Sequence, residues 1–176
     1  MEIMKTPLEG CYLIEAKKFG DDRGFFMESF NQKAFEAAGI SFDVKQINLA
    51  KSQRNVLRGL HYQIGDFAQA KLVHVINGAA LDVAVDLRPS SPTYLQHFSV
   101  LLDAPERFFL IPKGFAHGYL TLSDDTLFQY AVDNYYSPEN EGGIRYNDPN
   151  LQIDWGLVSE PLISPKDLAH PLINKI

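Results

Sequence analysis

Apolar side chains recur at every second position through most of this sequence, and that period of two constrains the fold more than any other feature. Leu81, Val83, Val85 and Leu87 alternate with Asp82, Ala84 and Asp86, for example. Alternation of this kind places successive side chains on opposite faces of an extended strand. Turn-forming residues separate the runs, so the pattern predicts many short antiparallel strands, over residues 24–30, 44–48, 56–63, 71–76, 79–87, 97–102, 107–111, 118–122 and 126–132. Helix is scarce. Asn31 is placed to cap one over Gln32 to Ala38, which Gly39 ends, and Ser164 with Pro165 predicts a second short turn running to Ala169. Nine or more strands with so little helix specify an all-β sandwich, jelly roll or small barrel, and such barrels can hold a ligand in their mouth.

The strongest local pairing signal is Asn77-Gly78 between two alternating runs, the preferred loop of a two-residue hairpin. A hairpin closed there sets Val73 opposite Asp82 and Lys71 opposite Ala84. It sorts Leu72, His74, Ile76, Leu81, Val83, Val85 and Leu87 onto a packing face. The other face carries Lys71, Val73, Val75, Ala80, Asp82, Ala84 and Asp86. Small residues beside Lys71 and Asp82 suit the lining of a polar cavity, although the hairpin taken alone favours a face turned to solvent.

At 176 residues with 45% hydrophobic content, the chain reads as one domain, residues 1–176, able to bury a core without disulfides. Cys11 is the sole cysteine and reads as a buried, inert thiol. No run of about 18 apolar residues and no signal-peptide h-region is present, so the expected setting is cytoplasmic, with no membrane partner. The formal net charge of −6 argues against nucleic acid, whose binding needs a basic face. Charge is uneven, however. Between Val44 and His74, five basic residues (Lys45, Lys51, Arg54, Arg58, Lys71) face the single acid Asp66, a net +4 that leaves −10 for the rest. A small anionic ligand and a solvated strand edge both account for such a window.

Two histidines stand in suggestive contexts. His61 follows Gly59 in Asn55-Val-Leu-Arg-Gly-Leu-His-Tyr-Gln63, where the glycine marks a bulge or a close backbone approach. His117 lies in the turn-rich Ile111-Pro-Lys-Gly-Phe-Ala-His-Gly118. Either imidazole can exchange a proton near neutral pH, and either can be a hydrogen-bonded structural group. His74, His97 and His170 show no supporting constellation. Gln63 stands where a metal-binding His-x-His pair would place its second histidine, so His61 and His117 supply too few ligands for a catalytic metal, and none is expected. No nucleophile elbow, phosphate loop or dinucleotide fingerprint occurs.

Several longer motifs carry a resemblance. Phe19-Gly-Asp-Asp-Arg-Gly-Phe-Phe-Met-Glu-Ser-Phe30, Gln46-Ile-Asn48, the His61 and His117 segments, Ala70-Lys-Leu-Val73, Ser91-Pro-Thr93 and Asn134-Tyr-Tyr-Ser-Pro138 together resemble the dTDP-4-dehydrorhamnose 3,5-epimerase family, from Gly10 to about Pro171. The resemblance implies a cupin-type jelly roll, a homodimer, no cofactor and no metal. The implied substrate is dTDP-4-dehydro-6-deoxy-D-glucose, epimerised at C3 and C5. Epimerising only one of those carbons, or binding a nucleotide sugar without turnover, are the alternatives.

By the same resemblance His61 is the base, Asp167 orients it, Lys71 stabilises the enolate oxygen and Tyr130 is the general acid. Arg23, Glu28, Gln46, Asn48, Arg58, Asp82 and His117 are implied to line the nucleotide-sugar pocket. Tyr136, Glu141, Phe19 and Phe26 are implied near the thymidine or diphosphate.

Overall fold

A computed structural model describes residues 1–175. Thirteen strands form it: β1 (Glu2–Lys5), β2 (Tyr12–Glu15), β3 (Lys18–Asp21), β4 (Gly24–Met27), β5 (Gln46–Ser52), β6 (Leu57–Gln63), β7 (Lys71–Asn77), β8 (Ala80–Asp86), β9 (His97–Leu102), β10 (Arg107–Ile111), β11 (Phe115–Thr121), β12 (Thr126–Val132) and β13 (Glu141–Gly143). Two antiparallel sheets face one another as a jelly roll, one ordered β1-β2-β10-β7-β12-β5 and the other β13-β6-β11-β8-β9. Strands β3 and β4 make a separate two-stranded ribbon.

The period of two explains the layers. Val73 and Val75 of β7, Phe109 of β10 and Phe128 of β12 meet Ala80 and Ala84 of β8 and Phe115 and Tyr119 of β11 in the core between the sheets. Their alternate neighbours point outward. Leu72 and Phe108 pack under Phe35 and Phe42, whereas Val83, Val85, Ala116 and Leu120 are covered by Ile144, Leu151 and Trp155. The helix α1 (Gln32–Ala37) buries Phe35 on the first of these outer faces; the Asn31 side chain accepts from the Ala34 amide at its start, and Gly39 takes φ +75° just past its end. A second short helix, α2 (Pro165–Leu168), begins with the Ser164 hydroxyl accepting from the Asp167 amide.

The expected Asn77-Gly78 hairpin does not form. Strand β7 pairs with β10 and β12, and β8 pairs with β11 and β9, in the opposite sheet. Val73 therefore lies opposite Phe109 and Tyr130, not Asp82, and Asp82 lies opposite Tyr119 and Val100. Gly78 does adopt positive φ, +91°, but the link it serves crosses between sheets and is pinned to the turn after β11. The Ala79 amide donates to Ser123 Oγ (2.9 Å), and the Leu122 amide donates to Ala79 O (2.8 Å). Crossing brings the small face of β8 against the Val73 face of β7, burying both, where a hairpin would lay them side by side. The sorting of side chains by face survives the change of pairing, because it depends on alternation alone. Strands β1, β2, β3 and β13 lie outside the runs the alternation marked, each being only three or four residues long.

Candidate active site

Gly59 is the local feature that shapes the site. It sits at φ +117°, and a Cβ there would fall 2.6 Å from Gly118 Cα and 2.7 Å from His117 O, so only glycine lets β6 and β11 approach this closely. The pairing of β6 with β11 shifts register at that point, between His117 and Tyr119. His61 and His117 consequently lie opposite each other, both lining one cavity of about 650 Å³.

His61 Nε2 lies 3.0 Å from Asp167 Oδ1, and the Gly59 amide donates to Asp167 Oδ2 at 2.9 Å. Burial alone would raise the Asp167 carboxyl, but these hydrogen bonds hold it well below the ordinary carboxylate range. A carboxylate accepts only, so the bond runs from His61 Nε2–H to Asp167, and Nδ1 is the nitrogen that bears the lone pair in the neutral ring. Lys71 is buried, with Nζ 3.4 Å from His61 O. Burial lowers its pKa to about 8, against the opposing pull of Asp82 and Glu141. Tyr130 lines the same cavity from β12; burial raises its phenol, and Arg58 partly offsets this.

Gln46, Asn48, Arg58, Tyr136 and Glu141 also line this cavity. Gln46 Nε2 donates to Asn48 Oδ1 at 2.7 Å, and its Oε1 accepts from the Tyr136 amide at 3.2 Å. The Tyr136 hydroxyl donates to Glu141 Oε2 at 2.7 Å, and Lys166 bonds the same carboxylate oxygen. These two partners keep the Glu141 carboxyl low although burial opposes them. Asp82 is fully buried and accepts from His117 Nε2 at 2.8 Å, so it sits behind that imidazole and does not line the cavity. Burial lowers the pKa of His117, and Asp82 counters it.

Arg23, Glu28, Phe19 and Phe26 are not brought to the cavity of their own chain. Phe19, Arg23 and Phe26 belong to the β3–β4 ribbon, where Arg23 pairs with Asp21; Glu28 follows β4 and accepts from Asn31 Nδ2. All four are exposed. The ribbon departs because its two short strands pair only with each other.

Sequence reasoning missed Gln63, Lys166 and His170. Buried Gln63 donates to Phe67 O (2.8 Å) and Tyr135 O (3.1 Å) and accepts from the Ser137 amide (2.7 Å), tying the loops on either side to the end of β6. Its place two residues after His61 was the available signal. Cys11 is buried as expected, and burial raises its thiol despite nearby Arg88.

Comparison with known proteins gives the family. The profile described as dTDP-4-dehydrorhamnose 3,5-epimerase matches residues 5–175. The chain is 50% identical to the protein of that name from Escherichia coli, over 95% of this chain and 91% of that one. It is 47% identical to the Salmonella typhimurium one, over 99% and 97%. A crystal structure from Legionella pneumophila, of dTDP-6-deoxy-D-glucose-3,5-epimerase in complex with dTDP-4-keto-L-rhamnose, superposes with a TM-score of 0.95 at 47% identity, covering 99% of this chain and 94% of that one.

Proposed function

The chain belongs to the dTDP-4-dehydrorhamnose 3,5-epimerase family, with the cupin-type jelly roll of its relatives, and from that premise we propose how its own residues carry the reaction. The enzyme is an isomerase that converts dTDP-4-dehydro-6-deoxy-D-glucose to dTDP-4-dehydro-L-rhamnose. C3 and C5 flank the C4 ketone, so loss of either proton yields an enolate, and the substrate's own carbonyl is the electron sink. The observation that carries the assignment of roles is the His61–Asp167 pair opening on a cavity that also holds a buried cation and a half-buried phenol.

His61 takes the α-proton on Nδ1, and Asp167 stabilises the imidazolium that results. The Lys71 ammonium favours the enolate oxygen over the ketone. Tyr130 returns a proton at C5. His61 stands on β6 and Tyr130 on β12, strands of opposite sheets, which suits removal from one side of the sugar ring and return from the other. Arg58 binds diphosphate oxygens, with Gln46, Asn48, Tyr136 and Glu141 lining the rest of the pocket and Asp82 acting through His117.

The active form is a homodimer. The β3–β4 ribbon exposes Phe19, Phe25 and Phe26 at 54%, 55% and 69%, and edge strand β5 exposes Ile47 and Leu49. An apolar surface of this kind marks an interface. Docked on a second copy, the ribbon carries Arg23, Glu28, Phe19 and Phe26 to a neighbouring cavity. Light scattering that returned a monomer at micromolar concentration would contradict this. A cytoplasmic setting suits the free thiol of Cys11, and no helix among the described residues is long and apolar enough to cross a membrane.

Incubation with dTDP-4-dehydro-6-deoxy-D-glucose in deuterated water, followed by NMR, tests the reaction. Deuterium is expected at both C3 and C5. Absence at both rules the reaction out, and labelling of one carbon alone assigns a mono-epimerase.

A further inference from the structure

His170 has no place in the proposed reaction, yet the fold sets its ring beside the base. Residues His61 and Gly143 are register partners of β6 and β13, and the His170 ring lies over Gly143 so closely that a Cβ there would fall 2.3–2.4 Å from three ring atoms. The backbone around it is fixed as well: the His170 carbonyl accepts from Arg145 Nε at 3.2 Å, and the Arg145 amide donates to Pro171 O at 2.9 Å. His170 Nε2 is buried without a hydrogen-bond partner, 3.8 Å from Asp167 Oδ1, too far for a hydrogen bond. A buried nitrogen left unpaired is costly and needs a reason.

The geometry points to a divalent transition-metal site of the zinc class formed by His61 Nε2, Asp167 Oδ1 and His170 Nε2, whose occupation switches the base off. One donor atom from each of the three residues lies within 4.8 Å of the others. Zinc bonds of about 2.0–2.2 Å in a tetrahedron separate neighbouring donors by roughly 3.3–3.5 Å. The observed separations from Asp167 Oδ1, 3.0 Å and 3.8 Å, bracket that value, so the two carboxylate–imidazole edges need shifts of only a few tenths of an ångström. The two imidazoles meet edge-on, ring centroids 5.5 Å apart. Two histidines and a carboxylate leave a fourth position for water, and the Gly59 amide on Oδ2 holds the carboxylate from outside. Lys166 approaches the cluster too, but it is engaged by Glu141.

The chemical consequence follows from the two nitrogens of His61. With no metal, the Nε2 proton goes to Asp167 and Nδ1 carries the lone pair. A metal on Nε2 needs a lone pair there, so the neutral ring must hold its proton on Nδ1. No proton is gained or lost, but the nitrogen that accepts the α-proton is filled. Inhibition in this form rests on the proposed role of His61; metal binding does not.

Cobalt(II), added to the metal-free full-length enzyme, reads the site without turnover. We expect visible absorption of four-coordinate intensity, displaced by zinc and removed by EDTA, and parallel loss of epimerase activity with micromolar zinc that EDTA restores. His170→Gln should keep its activity and weaken both cobalt binding and zinc inhibition by about tenfold or more; His170→Asn serves if that variant does not fold. Equal zinc sensitivity in the wild type and the variant, or no cobalt spectrum in the wild type, overturns the proposal. A cobalt spectrum lost in the variant without inhibition of the wild type keeps the site and removes the assignment of His61 as base.

Discussion

Replacing Asp167 by asparagine is the sharpest test of the base assignment, because both carboxylate oxygens are already committed. Oδ1 accepts from His61 Nε2 at 3.0 Å and Oδ2 from the Gly59 amide at 2.9 Å. An amide has only one acceptor oxygen. If that oxygen faces His61, the new NH₂ confronts the Gly59 N–H, and a buried donor left unpaired costs about 1–3 kcal/mol. If the oxygen turns to Gly59, the NH₂ faces Nε2, which must give up its proton, and Nδ1 is then filled. Either way the charge that stabilises the imidazolium is gone, a loss of about 4 kcal/mol at 4 Å for an effective dielectric constant near 20. Since about 1.4 kcal/mol is tenfold in rate, kcat should fall by about 10²–10³. KM should change less than about threefold, because Asp167 stabilises a charge that appears only after proton transfer. The assay is deuterium incorporation at C3 and C5 under saturating substrate, with thermal denaturation confirming the fold. A drop in kcat below about tenfold, or a change confined to KM, would refute the reasoning.

Four further outcomes are expected. Burial brings the Lys71 pKa in the free enzyme down to about 8, so kcat/KM should decline on the alkaline side with that midpoint; Lys71→Arg, charged throughout, should be slower but lack the alkaline limb, and an unchanged limb excludes Lys71 as its source. Tyr130→Phe should lose C5-inverted product by about 10²-fold while C3 exchange persists; an unaltered product ratio by NMR removes the tyrosine as the C5 acid. Gly59→Ala pushes a methyl into the backbone of β11 at positive φ and should cost about 3–5 kcal/mol, or about 10 °C in the melting midpoint, with a loss under about 3 °C counting against the close approach. Asp86 is buried among Arg88, Ser91 and Thr93, whose hydrogen bonds hold its carboxyl far below the usual range although burial raises it. A depressed folded pKa gives stability that is present above the unfolded value of about 3.9 and lost as pH falls below it, so the gap between wild type and Asp86→Asn in urea melts should narrow from pH 7 to pH 3.

Alternation determined which side chains share a face, setting Lys71 with Val73 and Asp82 with Ala84, and this survives any choice of partners, since period two is a local property of an extended chain; that both faces are buried, the Val73 and Ala84 faces between the sheets and the Leu72 and Val83 faces under outer segments, was decided by the tertiary structure. Local capping chemistry was equally legible at Asn31, Gly39 and Ser164. Motif resemblance named His61, Lys71, Tyr130 and Asp167, which the fold gathers on one cavity. Strand pairing was not legible. Asn77-Gly78 satisfies a hairpin and a sheet crossing with the same positive φ, and only the burial gained by setting β7 against β8 across the two sheets decides between them. Nor could the sequence show that Asp82 reaches the site only through His117, that the Arg23 ribbon stands away from its own cavity, or that His170 lies against the base. Those facts depend on contacts between segments far apart in the chain, and such contacts exist only once the sheets have closed.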